Sequence, residues 1–91
     1  MTNKNNTVIY IGVTSDLTKR VWQHKTKFYK KSFTARYNCD KLVYFERLNT
    51  MTEAIAREKQ LKAGNRKRKE ELINLENSNW KDLSEGWVFN I

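Results

Sequence analysis

The stretch "NTVIYIGVTSDLTKRVWQHK", residues 6–25, decides how the rest of the chain is read. Val8-Ile9-Tyr10-Ile11 is a short apolar run that stops at Gly12. Apolar residues on both faces predict a central rather than an edge strand over residues 8–12. Thr14 or Ser15 then supplies an N-cap, and Asp16 sits where the helix dipole favours a carboxylate. Leu17, Val21, His24 and Phe28 recur at i, i+4, i+7 and i+11, which predicts a helix to residue 28. Arg20, ten residues after Tyr10, and His24, the only histidine, are neighbours four residues apart on that helix.

Outward from this segment, "FYKKSFTARYN", residues 28–38, reads as a basic, aromatic connection. "KLVYFERL", residues 41–48, is rich in β-branched and aromatic residues and predicts a second strand. Thr50 followed by Glu53 has capping-box spacing and opens a helix over 51–63, with Gly64 as its C-terminal cap. Asn65 starts a further helix over 66–77, expected to bury Leu72, Ile73 and Leu75. Trp80, Leu83 and Trp87 in the tail are expected to fold back over the core. Strand, helix, strand, helix, helix implies an α+β fold with a small sheet, although two strands alone make a poor one.

Ninety-one residues make one domain, 1–91, with a thin stability margin. No apolar stretch suits a membrane span or a signal peptide, so the chain is expected to be soluble and cytoplasmic. The single cysteine, Cys39, agrees with a reducing compartment and reads first as a small buried hydrophobe, with a nucleophile as the other reading. One Cys and one His exclude a Cys/His zinc site within one chain and leave only hard cations held by oxygen. A net charge of +8 points to a polyanion, nucleic acid before an anionic membrane surface.

Several residues break local rules. Glu58 falls in an apolar stripe with Ala54, Ile55 and Leu61, where a carboxylate needs an ion pair with Arg57, Lys59 or Lys62, or else a cation. Arg20 lies close to the apolar seam of its helix, and reads either as a solvated side chain or as a fork for phosphate oxygens. Tyr10 fits core packing equally well. Lys62, Arg66, Lys67, Arg68 and Lys69 crowd a helix start, where cations oppose the dipole unless phosphates cover them. Lys30, Lys31 and Arg36, interleaved with Phe33 and Tyr37, suit backbone neutralisation combined with base stacking.

Together these residues resemble the GIY-YIG endonuclease family. Tyr10-Ile11-Gly12, with Arg20 ten residues after the tyrosine and His24 four beyond that, is similar to the second half of the family signature. "AIAREKQLKAGNRKRKEELI", residues 54–73, resembles the Glu-bearing helix of its small stand-alone bacterial members, and "NWKDLS", residues 79–84, their closing stretch. The likeness runs over residues 2–84, with 85–91 as a tail.

The resemblance implies a three-stranded antiparallel sheet flanked by helices. It also implies one Mg2+ or Mn2+ held by Glu58, and metal-dependent hydrolysis of DNA phosphodiesters in repair, recombination or mobile-element biology. Tyr10 would orient or deprotonate water, although phenols ionise only near pH ~10 and need help. Arg20 would steady phosphoryl charge, and His24 would hydrogen-bond a phosphate or the nucleophile. Val13 stands where some relatives carry lysine, and a late asparagine of the family has two candidates, Asn74 and Asn79.

The family's first motif, Gly-Ile-Tyr or a variant, lies on a strand before the opening turn. This sequence begins inside that turn with "TNKNNT", so the first strand is expected to be missing. An open sheet edge would pair with a second chain, whereas the longer domain is expected to be a monomer. The alternative function is a catalytically impaired nucleic-acid-binding module on the same fold, and a third reading is a small basic adaptor.

Overall fold

The computed structural model describes residues 1–87 and 89, so positions 88, 90 and 91 of the expected tail lie outside the described residues. Four helices form among the described residues: α1 (Leu17–Lys25), α2 (Phe33–Arg36), α3 (Met51–Ala63) and α4 (Arg66–Glu76). Local chemistry sets their ends. Asp16, not Thr14 or Ser15, caps α1 by accepting from the Lys19 amide at 3.1 Å, while the Thr14 hydroxyl accepts from the Asp16 amide at 3.0 Å. Lys27, at φ 54°, turns the chain away, so α1 stops short of Phe28 and leaves that ring exposed. Thr50 accepts from the Glu53 amide as the capping box predicts, and Asn65 accepts from the Arg68 amide. Gly64 caps α3 with extended rather than left-handed backbone.

The expected α+β fold with its antiparallel sheet is not what forms. Among the described residues, β pairing is limited to two isolated antiparallel bridges, Thr2 with Ile9 and Thr2 with Lys41. The physical reason lies in who pairs with whom. Segments 8–12 and 41–48 share no backbone hydrogen bond; Met1 and Thr2 lie between them and make the pairing. Thr2 exchanges bonds of 2.8 and 3.0 Å with Lys41, and Met1 exchanges bonds of 2.8 and 3.0 Å with Tyr10. Two residues supply one bonded pair on each flank, too few for a ladder. Strand propensity in 41–48 therefore goes unrewarded, because it depends on a paired neighbour.

The backbone of 42–43 is satisfied from the tail. Leu42 donates to Asp82 Oδ1 at 3.2 Å and accepts from the Leu83 amide at 2.6 Å. Asn77 Nδ2 donates to the Val43 carbonyl at 3.0 Å and to Lys81 O at 2.7 Å, while its Oδ1 accepts from the Lys81 amide. Asp82 is ion-paired with Lys25 of α1 and accepts from Ser84. The tail thus folds back through polar bonds, and Leu83, expected to cover the core, is 37% exposed. Trp80, in left-handed backbone at φ 53°, is tied to Asn74 by its indole N–H at 2.7 Å.

Among the described residues the fully buried apolar core is small and contains no aromatic: Val21, Ala35, Cys39, Leu42, Val43 and Ile73. Ile73 is buried as expected, but Leu75 is 81% exposed on the outer side of α4. Cys39 is fully buried and burial pushes its thiol up, which favours the packing reading over the nucleophile. No helix among the described residues is long and apolar enough to cross a membrane.

With so thin a core, the Asn77 latch matters. Asn77→Ala leaves the Val43 carbonyl and the Lys81 backbone without their partners, at a cost of about 2 kcal/mol. Urea denaturation is expected to show that loss, with Asn79→Ala unchanged.

Candidate functional site

A cleft of about 700 Å³ opens between segment 9–18, α1, segment 42–51, α3 and α4. Tyr10, Arg20, His24 and Glu58 all line it, as do the motif residues Ile11 and Gly12. Three separate parts of the chain thus bring the four expected catalytic side chains to one concavity.

Gly12 makes the first contact possible. A Cβ built there would lie 2.9 Å from Tyr10 Cε1, so the ring folds over Gly12 and a larger residue would have to push it aside. The Tyr10 ring meets the edge of His24 with centroids 5.5 Å apart and stacks on Phe33 at 6.0 Å and 27°. His24 is buried, with Nδ1 2.6 Å from the Thr34 hydroxyl. Burial first, then the Arg20 charge and the N-terminal ammonium, push its pKa down to about 4. At neutral pH it is an uncharged imidazole, with Nδ1 engaged by Thr34 and Nε2 left for the cleft.

Arg20, half-buried, bonds Gln23 Oε1 at 3.1 Å and is in no ion pair among the described residues. A guanidinium on a cleft wall without a carboxylate is ready for an anion. Glu58 faces the same cleft, its side chain 19% exposed, with Lys62 Nζ at 3.5 Å one turn on. The ion-pair reading of Glu58 thus has its partner in Lys62, whereas Arg57 instead forks Glu46 at 2.8 and 3.0 Å. The Arg57 fork pulls Glu46 down, while burial first, and then the hydrogen bond to Glu46 and its charge, push Tyr44 up to about 12.

Among the described residues, no three His, Cys, Asp or Glu side chains gather as a metal cage. One carboxylate does suit a Mg2+ or Mn2+ ion that keeps its waters and takes substrate phosphate oxygens, the usual manner of Mg2+. The donor set fits that ion, provided Lys62 yields the carboxylate.

The expected phosphate-binding cations divide. Lys30, Lys31, Arg36, Lys67 and Arg68 are exposed, and Lys69 lines the cleft. Arg66 is committed elsewhere, to Glu70 at 2.7 Å, to the Thr7 carbonyl at 2.9 Å and to the Asn6 carbonyl. It pins α4 to the opening turn. Of the candidates for a late asparagine, Asn74 holds Trp80 and Asn79 is exposed.

A family model described as GIY-YIG catalytic domain matches residues 1–79. The chain belongs to the GIY-YIG catalytic domain family. Membership carries nuclease activity in general, and Tyr10, Ile11 and Gly12 are among the residues that line the cleft. No curated protein and no solved structure matches the chain.

The sequence reading missed α2 and with it Thr34. The signal was present in Ser32, whose hydroxyl accepts from the Ala35 amide at 3.2 Å as an N-cap. This one-turn helix presents Thr34 to His24 and Phe33 to Tyr10.

His24 binds its proton more weakly folded than unfolded, so between its ordinary 6.5 and about 4 the unfolded chain holds more protons. Stability therefore falls as pH falls through that window, by about 2 kcal/mol at pH ~5. The buried Met1 amine, pushed from 8.0 to about 6, acts with the same sign one window higher. Thermal midpoints measured across pH are expected to fall from neutrality toward pH ~5, and His24→Gln to flatten that slope.

Proposed function

We propose that this chain is a metal-dependent endonuclease that hydrolyses DNA phosphodiester bonds. The observation that carries the reading is the convergence of Tyr10, Arg20, His24 and Glu58 on one cleft beside a basic surface. Arg20 binds the non-bridging oxygens of the scissile phosphate in two-point fashion and steadies the charge that grows there. The Tyr10 hydroxyl hydrogen-bonds the attacking water and aims it in line. His24, neutral, gives that water or a phosphate oxygen one further hydrogen bond through Nε2. Glu58 would hold the divalent ion, which when bound supplies Lewis-acid stabilisation of the leaving oxygen. Lys69 and the exposed cations of the α2 region and α4 neutralise flanking phosphates.

The Glu58–Lys62 pair supports a second reading, a nucleic-acid-binding module in which that carboxylate is only structural. Nicking of supercoiled plasmid with Mg2+ or Mn2+ separates the two. Arg20→Ala and Glu58→Gln are each expected to lower nicking at least about 100-fold while leaving the thermal midpoint near wild type. Cutting that survives chelation or both substitutions overturns the nuclease reading. Salt-sensitive binding without cutting supports the module.

A further inference from the structure

The core excludes every aromatic, while segment 28–37 leaves four exposed: Phe28, Tyr29, Phe33 and Tyr37. Two of these form a continuous ledge with the cleft tyrosine. Phe33 stacks on Tyr10, Tyr37 lies 4.6 Å beyond Phe33 between centroids, and the Arg36 guanidinium stands 5.9 Å from the Tyr37 ring. Phe33 and Tyr37 are 47% and 44% exposed, an unfavourable place for rings unless something covers them. Beside the ledge lies a second, shallower hollow of about 310 Å³ lined by Ile9, Tyr10, Ile11, Phe33, Lys62 and Lys69. It shares Tyr10, Ile9, Ile11 and Lys69 with the cleft, so whatever sits in it adjoins the scissile phosphate.

We propose that the Phe33–Tyr37 ledge and its hollow seat one unpaired nucleobase, with the adjoining phosphate held by Lys62 and Lys69. A ring face with ammonium groups on the rim matches a base joined to a phosphate. A paired base in duplex DNA keeps its faces inside the stack, whereas a splayed base offers one. The selectivity that follows, which rests on the nuclease reading for its purpose but not for its existence, is for DNA with an unpaired nucleotide beside the cut, at a fork or flap. With its phosphate drawn to the hollow, Lys62 has a competing anion and Glu58 loses its ion-pair partner. Seating the base and freeing the carboxylate are then one event.

The test is fluorescence anisotropy at fixed salt in EDTA, using the full chain with a forked DNA and a fully paired duplex of equal length. The fork is expected to bind at least about tenfold more tightly than the duplex. Tyr37→Ala and Phe33→Leu, each checked by thermal melting, are expected to bring fork affinity down to the duplex level. Duplex affinity and the salt slope are expected to stay unchanged, since no charge is altered. Equal affinity of the wild type for fork and duplex, parallel loss on both DNAs, or no measurable binding of either overturns the proposal. Because EDTA removes metal-dependent cutting, a fork preference that persists without nicking under Mg2+ sinks the nuclease reading and leaves the base site standing.

Discussion

The structure depends on how tightly the Tyr10 ring is held. It lies over Gly12, edge-on to His24 and face-on to Phe33. Each neighbour belongs to a different element, so one ring joins segment 8–12, α1 and α2. Thr34 completes the arrangement by fixing the His24 ring from below. A phenol so confined keeps its hydroxyl at one place on the cleft wall, as the role proposed for it requires.

This confinement coexists with a fold short of regular pairing. Burial of six small or medium apolar residues leaves much to polar contacts that act across the chain. Asn77 and Asp82 serve segment 42–43, Arg66 serves the opening turn, and Met1 and Thr2 serve both extended segments. Each is a side chain or terminus satisfying backbone groups that a sheet would otherwise satisfy. Phe28, Tyr29, Phe33 and Tyr37 stand exposed outside this small core.

The helices were legible in the sequence because their signals are local: Thr50 with Glu53 for α3, Asn65 for α4, and an apolar period for α1. Tyr10, Arg20, His24 and Glu58, singled out by fixed offsets and by one carboxylate in an apolar stripe, all line one cleft. The sheet was not, because strand formation depends on a partner that no local pattern announces, and here the partner is two residues long. Arg66 reads from sequence like any other cation in "RKRK"; its tie to residues 6 and 7 crosses about sixty positions and leaves no periodic trace. Thr34 was hidden for a related reason: a one-turn helix is too short to show a period, and only its Ser32 cap marked it.

In the function proposed above, segment 8–12, α1 and α3 present their polar groups to one cation-and-phosphate site. NMR of the chain titrated with a low level of Mn2+ tests it most directly, because the paramagnetic ion broadens resonances around wherever it binds. Simultaneous broadening at Tyr10, Arg20, His24 and Glu58 is predicted, and its loss in Glu58→Gln. Broadening confined to the outer faces of α3 and α4, or unchanged by that substitution, would contradict the account.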